Sequence, residues 1–375
     1  MIYFDSAATT MQKPSAVAKA AYYAIGHMAS PGRGGHRPAL LAAQTAFFCR
    51  EEAAELFHIS KPENVVFTFN ATHGLNIAIK SLVKPGDTVL ISGYEHNAVT
   101  RPLAAIDGVV IKVATSPLFR PDLLLRRFEE AMTREVSAVV CIHVSNVFGY
   151  ILPVAEIAAL CRHRGVPFIL DASQSAGCLS VNFEELGAAF AAMPGHKGLY
   201  GPQGTGLLLC RGDTLPLLQG GTGSISASQQ MPEFLPDRLE AGTHNIPGVA
   251  GLLEGIRFIR QKGTDAILRH EQTLVAHAAM GLKRIQGIQV YSSGAPGTQA
   301  GVLSFNLSSM DCEEVGAALS RCGIAVRSGL HCAPMAHNSA GTLETGTVRA
   351  SFSVFNTAHE VDFFLKHINR LAERH

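Results

Sequence analysis

Short apolar runs recur along the first half of the chain, and most are followed by a segment in which apolar residues return every three or four positions. Continuous aliphatic runs predict buried strands, and the longer spacing predicts amphipathic helices. Strands are predicted at residues 65–69, 89–92, 109–113, 138–145, 168–171 and 204–209. Helices are predicted at residues 38–57, 75–82 and 155–164. This alternation predicts an α/β fold whose mostly parallel sheet carries helices on both faces.

The pattern changes after Ile246, where helices become longer and strands shorter. Helical spacing covers residues 248–262, 265–286 and 311–322, with short strands near Gln289 and at 302–305. This predicts a smaller α+β domain. We assign residues 16–246 to the large domain and residues 1–15 with 247–375 to the small one, because the N-terminal arm is expected to pack there.

The amino-acid composition indicates which class of protein this is. Of the 375 residues, 47% are hydrophobic and 16% are charged, which is typical of a compact globular protein. Lys and Arg number 31 against 30 Asp and Glu, so neither nucleic acid nor a membrane is an expected partner. No leader of a signal peptide follows Met1, and no apolar run approaches the ~20 residues that span a bilayer. We expect a cytoplasmic protein.

The cysteines are scattered without C-x-x-C spacing. In a chain with no secretory leader they are expected to be reduced thiols, most of them small core residues. No metal site is expected. The eight cysteines are Cys49, Cys141, Cys161, Cys178, Cys210, Cys312, Cys322 and Cys332.

Candidate chemistry centres on an acid and a lysine. Asp171 ends an apolar run, and the carboxyl ends of parallel strands are where α/β sheets place ligands. Lys197 lies in the glycine-rich stretch 191–206, whose backbone can approach a flat ring closely. A lone lysine is more often an exposed loop residue. However, an acid and a lysine so placed are what a pyridoxal 5'-phosphate (PLP) site uses, the acid on the ring nitrogen and the lysine on the aldehyde.

Beyond this pair, the chain resembles the class V branch of the fold-type I PLP enzymes, which contains cysteine desulfurases and selenocysteine lyases. The resemblance runs from Asp5 to near Asp362 and rests on separate motifs. They are DSAATT at 5–10, NATHG at 70–74, EHNA at 95–98, FILDASQ at 168–174, PGHKG at 194–198, EAGTHN at 240–245 and GIAVRSGLHCAP at 323–334. It implies the PLP-dependent transferase fold type I, PLP as cofactor and a homodimer.

The residues that would hold the cofactor follow from these motifs. Thr72 begins a helix after a strand, an anion site by geometry, although a plain helix cap remains an alternative. The resemblance implies that His196 contacts the phosphate, His96 stacks on the ring, Gln174 bonds the phenolic oxygen and Thr243 reaches the phosphate of the neighbouring protomer. The complete cofactor set is Thr72, His73, His96, Asp171, Gln174, His196, Lys197 and Thr243.

Two departures from the family pattern affect the phosphate end of this site. Relatives usually carry a hydroxyl residue where Pro194 stands, and often a second threonine at Ala71. Proline offers neither a hydroxyl nor an N–H, which predicts a weaker or rewired phosphate cup.

Cys332 is the second chemical group. A reactive thiolate needs positive charge nearby, and Arg327 and His331 are close in sequence. An ordinary structural cysteine is the alternative, but the segment resembles the one that carries the persulfide-forming cysteine of selenocysteine-lyase-like desulfurases. Leu330 replaces the first of two histidines found there, which leaves activation of the thiol open.

Other residues would bind the substrate. The planar fork of Arg349 suits a carboxylate, and the resemblance places it on the substrate α-carboxylate. Asn146 follows a predicted strand, where its amide could bond both cofactor and substrate, with a turn or capping role as the alternative. The resemblance puts Ala7 and Ala8 beside the amino-acid substrate. Arg327 is also predicted to bind the substrate. The basic loop with Arg33, His36 and Arg37 could bind substrate or close a dimer interface.

Together these features predict a PLP-dependent cysteine desulfurase or selenocysteine lyase that yields L-alanine and a persulfide on Cys332. His96, Lys197 and Cys332 form the catalytic set, and a carrier protein or a small thiol would accept the sulfur or selenium. One alternative is a class V aminotransferase or another PLP β-lyase, for example on cysteine sulfinate, in which Cys332 is not essential. A non-catalytic scaffold is a second alternative. A dehydrogenase is disfavoured because no G-x-G-x-x-G opens a helix after an early strand.

Overall fold

The computed structural model describes residues 1–32 and 34–373. The strands are β1 (Ile2–Tyr3), β2 (Val65–Thr68), β3 (Thr88–Ser92), β4 (Val110–Ala114), β5 (Val136–Ile142), β6 (Phe168–Asp171), β7 (Phe190–Pro194), β8 (Gly206–Cys210), β9 (Ile288–Tyr291), β10 (Val302–Leu307), β11 (Ile324–Ala325), β12 (Arg327–Gly329) and β13 (Thr347–Ser351). The helices are α1 (Ser15–His27), α2 (Arg37–Leu56), α3 (Ala71–Leu82), α4 (Asn97–Ala104), α5 (Pro121–Ala131), α6 (Val154–Arg164), α7 (Phe183–Leu186), α8 (Ile246–Lys262), α9 (Thr264–Leu282), α10 (Cys312–Arg321), α11 (Pro334–Ala340) and α12 (Ala358–Ala372).

A seven-stranded sheet forms the centre of the molecule, in the order β2-β8-β7-β6-β5-β3-β4. Strand β8 runs antiparallel to both of its neighbours, and the other pairs in the sheet are parallel. Alternate residues enter different apolar clusters: Leu170 packs with α2, α5, α6 and α8, whereas Ile169 packs with α3 and α4. Helices therefore cover both faces, and the predicted α/β fold is confirmed.

A second sheet of four antiparallel strands has the order β12-β13-β10-β9 and packs against α9, α10 and α12. The N-terminal arm joins this part of the chain, because β1 pairs in parallel with β11. The exact domain limits stay a prediction. Helix α8, which was assigned to the small domain, contributes Val249, Leu252 and Ile256 to the core of the large sheet.

Most element boundaries agree with the hydrophobic pattern to within two residues. Two ends differ. The strand predicted to reach residue 145 ends at Ile142, since Ser145 N–H turns back to bond the Tyr150 carbonyl at 2.9 Å. Helix α9 ends at Leu282 because the chain must reverse into β9, with Gly287 at φ +79° in that turn. Within the described residues, no helix is long and apolar enough to cross a bilayer.

Candidate active site

The carboxyl ends of the central strands open onto one pocket. Because these strands run in parallel, side chains that follow them meet at the same edge of the sheet. Seven of the predicted residues line this pocket, namely Thr72, His96, Asn146, Asp171, Gln174, His196 and Lys197. The acid and the lysine, which lie on different segments, are thus brought to a single site.

Asp171 is the last residue of β6 and is only 1% exposed. Its Oδ1 accepts a hydrogen bond from the Ser173 N–H at 2.9 Å, which fixes the direction of the carboxylate. A buried carboxylate needs a cationic or hydrogen-bonding partner. Asp171 is therefore suited to hold a protonated ring nitrogen.

Lys197 lies in the turn after β7. Burial lowers the pKa of its amine to about 8, while the charge of Asp171 opposes this change. The Lys197 carbonyl accepts hydrogen bonds from the Tyr200 N–H at 2.9 Å and the Thr10 hydroxyl at 3.1 Å. The neutral amine, the form that a nucleophile or a base must have, is therefore far more populated near neutral pH than in an ordinary lysine.

The glycines around Lys197 allow close packing within the protein. A Cβ at Gly198 would lie 2.3 Å from the Ala176 carbonyl oxygen, and one at Gly195 would lie 2.1 Å from Thr205 Oγ1. These glycines allow the lysine loop to pack against neighbouring protein segments. That the glycine-rich backbone also lets the loop approach a flat ring stays a prediction.

His96 is the N-cap residue of α4 and lies beyond the carboxyl end of β3. Its Nδ1 accepts a hydrogen bond from the Ala98 N–H at 3.0 Å, so the ring proton lies on Nε2. Burial lowers the pKa of His96, although Asp171 raises it in part. The site thus contains a neutral, fixed imidazole, as expected of a ring that stacks on an aromatic cofactor.

The start of α3 faces the same pocket. Asn70 Oδ1 accepts from the His73 N–H at 2.9 Å, and Thr72 lies between these residues. The first N–H groups of a helix lack partners within the helix and attract anions. His73 itself is turned away from the pocket lining and stacks on Phe69 with ring centroids 4.5 Å apart.

His196 and Pro194 complete this end of the pocket. His196 Nδ1 is buried without a hydrogen-bond partner among the described residues, and burial lowers the pKa of the ring to about 4. A neutral imidazole can donate one hydrogen bond and accept another.

At the opposite end, Arg349 is 2% exposed and bonds two groups of the protein. One Nη donates to the Asn146 carbonyl at 2.8 Å and the other to Asp5 Oδ1 at 3.0 Å. Its Nε has no partner among the described residues. Asn146 in turn donates from Nδ2 to the His331 carbonyl at 2.8 Å, while its Oδ1 is unpartnered.

Asp5 also binds the second arginine. Arg327 donates from Nε to both Asp5 carboxylate oxygens, at 3.2 and 3.1 Å, and from Nη2 at 2.9 Å. Asp5 was not among the predicted site residues. The sequence signal for Asp5 was an acidic residue in a short N-terminal arm that begins with a strand. An acid that becomes buried requires a cationic partner.

The arm beyond Asp5 is held against the pocket. Ala7 donates its N–H to Ser351 Oγ at 2.9 Å, and its carbonyl accepts from Gln174 Nε2 at 2.9 Å. Ala8 donates its N–H to the Asp5 carbonyl at 3.0 Å. In the basic loop, His36 caps α2 and Arg37 is exposed, and Arg33 lies outside the described residues.

Cys332 lies on an exposed loop between β12 and α11. His331 and Cys332 have φ values of +50° and +56°, which are uncommon for residues other than glycine. The Cys332 carbonyl accepts from the Asn97 N–H at 2.8 Å, one residue after His96. The backbone of the thiol-bearing residue is therefore attached at the edge of the pocket.

His331 does not have the role predicted for it in activating the thiol. Its ring is buried, with Nε2 at 3.2 Å from both the carbonyl and the hydroxyl of Thr347. Burial, aided by Arg349, lowers the pKa of His331 to about 2, so the ring carries no positive charge. Arg327 is the remaining candidate. Its pKa is raised, first by the Asp5 hydrogen bonds and also by Cys332.

Thr243 lies apart from this pocket, in a surface cleft with Phe47 and His244. The loop is fixed by Glu240, whose carboxylate receives two hydrogen bonds from Arg50 at 2.7 and 2.6 Å. Neither Glu240 nor Arg50 was predicted. Thr243 itself is exposed, so it is free to contact another molecule.

The residues of the pocket fit PLP. Asp171 and Lys197 line it together with the neutral ring of His96 and the start of α3. Polar atoms buried without partners among the described residues include His196 Nδ1 and, at the substrate end, Asn146 Oδ1 and Arg349 Nε. These atoms are hydrogen-bonding groups that a phosphate, a hydroxyl or a carboxylate would satisfy.

Comparison with known proteins gives consistent matches. A probable cysteine desulfurase of Methanothermobacter thermautotrophicus is 33% identical over 385 residues, covering 99% of this chain and 94% of the relative. A probable cysteine desulfurase of Mycolicibacterium paratuberculosis is also 33% identical, covering 100% of this chain, which spans only 56% of that relative. The apo structure of a cysteine desulfurase from Thermococcus onnurineus NA1 superposes with a TM-score of 0.91 at 33% identity, covering 100% of this chain and 95% of that one.

The family model for aminotransferase class-V matches residues 2–364, nearly the whole chain. Together with the fold and the pocket, this match shows that the chain belongs to the aminotransferase class-V family.

Proposed function

We propose that this protein is a PLP-dependent cysteine desulfurase or selenocysteine lyase. The observation that carries the proposal is the single pocket in which Asp171 and Lys197 face each other, with Cys332 attached at its edge through Asn97. The relatives named as cysteine desulfurases support the same activity. L-cysteine or L-selenocysteine is the proposed substrate, and L-alanine is the product.

PLP would be held in the pocket at the carboxyl ends of the central strands. Asp171 would bind its ring nitrogen, His96 would lie against its ring, and Thr72 with His196 would bind its phosphate. When bound, PLP supplies an electron sink that makes the substrate Cα proton acidic. A carboxylate of Asp171 at the nitrogen end would favour the protonated ring.

Lys197 transfers the protons to and from the substrate carbon atoms. As a neutral amine it accepts the proton from Cα, and as an ammonium group it returns protons to carbon. The lowered pKa of about 8 allows both forms near neutral pH. Burial of the side chain restricts competing transfer to bulk water.

Arg349 and Asn146 orient the substrate. Two of the Arg349 nitrogens are already bonded to Asn146 and Asp5, which leaves the Nε edge for the α-carboxylate. A buried guanidinium held on two sides presents its remaining donors in one fixed direction.

Cys332 removes the sulfur. Its thiolate donates an electron pair to the substrate sulfur, and a sulfur–sulfur bond forms as the Cβ–S bond breaks. The electron pair of the broken bond stays with carbon, which takes up a proton to become the methyl group of alanine. Cys332 retains the persulfide, which a thiol of a carrier protein or of a small molecule would then accept.

We also propose a homodimer. The cleft that contains Thr243 is lined by apolar and charged residues, among them Phe47, Arg50 and His244. Thr243 would contact the phosphate in the partner's pocket across this cleft. A cytoplasmic location remains part of the proposal.

One experiment tests the activity directly. Purified protein with a confirmed cofactor spectrum is incubated separately with cysteine, selenocysteine and cysteine sulfinate, and alanine and protein-bound persulfide are measured. The proposal requires alanine together with persulfide from cysteine, or alanine with released selenium from selenocysteine. Alanine from cysteine sulfinate alone would favour a β-lyase without thiol chemistry, and a keto acid product would favour an aminotransferase.

Replacing Arg349 by lysine tests the carboxylate clamp. We expect kcat/KM for cysteine to fall about a hundredfold, mainly through KM, because an ammonium group keeps the charge but loses the fork. Steady-state kinetics check this, and Arg321→Lys, an exposed arginine at the end of α10, serves as the matched control. An unchanged KM in R349K would remove Arg349 from the substrate site.

The rate at which cofactor-free protein captures PLP should depend on pH. Because the Lys197 pKa is lowered to about 8, the reactive neutral amine accumulates as the pH rises through 8 and then reaches a plateau. Stopped-flow absorbance between about pH 6.5 and 11 measures the midpoint. Burial also lowers the pKa of Lys13 to about 8, so Lys13→Ala is the control and must keep the profile. A midpoint near 10.5, the ordinary value for lysine, would contradict the burial argument.

A further inference from the structure

A second polar cavity adjoins the proposed active site. Lys197 and Gln174 line both cavities, so the two cavities adjoin at these residues. The second cavity is further lined by Thr10, Tyr200 and Glu271. Its volume of about 40 Å³ is room for two or three water molecules.

Glu271, on α9, is a buried acid without a cationic partner. It is 7% exposed, and within residues 1–32 and 34–373 it makes no hydrogen bond or ion pair. This contrasts with Asp5 and Glu240, each of which is bonded to arginine. The titratable groups that face Glu271 are Cys178, Tyr200 and, across the cavity, Lys197.

The fold provides space for this carboxyl group. A Cβ at Gly301 would lie 2.6 Å from Glu271 Oε2, so the absence of a side chain at Gly301 lets the carboxyl group occupy this position. Burying an unpartnered acid costs stability, and an apolar side chain of similar size would avoid that cost. Burial raises the pKa of Glu271 to about 8, so the group is a carboxylic acid at neutral pH. It can therefore both donate and accept a proton.

The proposed reaction needs such a group. Cα loses one proton and regains one, whereas Cβ gains a proton when its bond to sulfur breaks. Carbon thus gains one proton more than Lys197 removes from it. The Cys332 thiol releases one proton to solvent when it becomes a thiolate, and this proton completes the overall balance. One proton must therefore reach Lys197 in exchange.

We propose that Glu271 is the proton reservoir that recharges Lys197 through water in the cavity the two residues share. Glu271 gives its carboxyl proton to cavity water, water protonates the Lys197 amine, and the carboxylate regains a proton from solvent. Glu271 acts through Lys197 and does not contact the substrate. The inference rests on the proposed desulfurase activity, for which it supplies the missing proton.

Two variants test this inference. Glu271→Gln keeps the shape but carries no acidic proton, and Glu271→Met replaces the acid by an apolar group. We expect kcat for cysteine to fall about tenfold in both, with KM unchanged. In the wild type, kcat should decline as the pH rises through 8, where both Glu271 and Lys197 lose their protons, and the decline should be shallower in both variants, which retain only the Lys197 ionisation. Thermal stability should be equal or higher, which separates the effect from misfolding.

A second measurement does not depend on turnover. Burial also raises the pKa of Glu95 to about 8, so the measurement is the difference between the infrared spectra of the wild-type and E271Q holoenzymes. That difference should contain a protonated carboxyl band at pH 6.5 that disappears above pH 8. An unchanged kcat and pH profile in E271Q, or the absence of the band, would overturn the inference. If the wild type forms no alanine from cysteine or selenocysteine, the proposed function is wrong, and this result is distinct from failure of the inference. The infrared measurement would then still show whether Glu271 is protonated.

Discussion

Lys197→Ala should abolish turnover of cysteine, with a loss of at least about a thousandfold. Among the described residues that line the pocket, Lys197 supplies the only amine. The proposed function gives it both the bond to the cofactor aldehyde and the transfer of the Cα proton, so both would be lost together. The visible absorbance of lysine-bound PLP should also be lost. Because the neutral alanine removes a buried amine rather than a paired charge, the fold should be retained. Absorbance, circular dichroism and alanine release measure these three outcomes.

Lys80→Ala is the control for that change, since Lys80 is exposed in the last turn of α3. It should leave both the spectrum and the rate unchanged. Persistence of the lysine-bound spectrum in K197A would show that another lysine holds the cofactor. Lys13 would then be the first to examine, because its amine bonds Thr10 beside the lysine loop.

Cys332→Ser should stop persulfide formation and reduce alanine release from cysteine by at least about a hundredfold. A serine hydroxyl is not ionised at neutral pH and cannot attack the substrate sulfur. The cofactor spectrum should be unchanged, because the backbone of residue 332 is fixed by the Asn97 N–H and not by its thiol. Cleavage of cysteine sulfinate, which needs no nucleophile, should continue wherever the wild type performs it.

Cys322 gives a matched control, because Cys322 and Cys332 are the two exposed cysteines among the described residues. Cys322→Ser should retain full activity and the same persulfide yield. If C332S desulfurates cysteine at the wild-type rate, the thiol is incidental and the aminotransferase or β-lyase alternative gains support.

The arrangement of Cys332 differs from what its neighbours in sequence indicate. His331 precedes the thiol, yet its ring turns inward to Thr347 and stays neutral. Arg327, on β12, is the remaining candidate for a positive charge near the thiol. Sequence proximity predicted both as candidates, and side-chain direction, which the left-handed backbone at residues 331 and 332 sets, separated them.

Asp5 shows a related limit. Its two arginine partners lie 322 and 344 positions further along the chain. An acid in an N-terminal arm carries no local signal of its partners, because the pairing depends on β1 joining β11 and on a bridge between Asp5 and Ser351. The motif at residues 5–10 pointed to the segment but not to its contacts.

The amino-acid sequence by itself determined the α/β alternation, the position of Asp171 at a strand end and the identity of Lys197. These depend on local periodicity and on motifs that lie within a few residues. The tertiary structure alone decided which acid neutralises Arg327 and Arg349, that His331 is neutral, and that Glu271 shares a cavity with Lys197. Each of these is a contact between distant segments, and burial at such contacts sets charge and pKa in ways that no local pattern encodes.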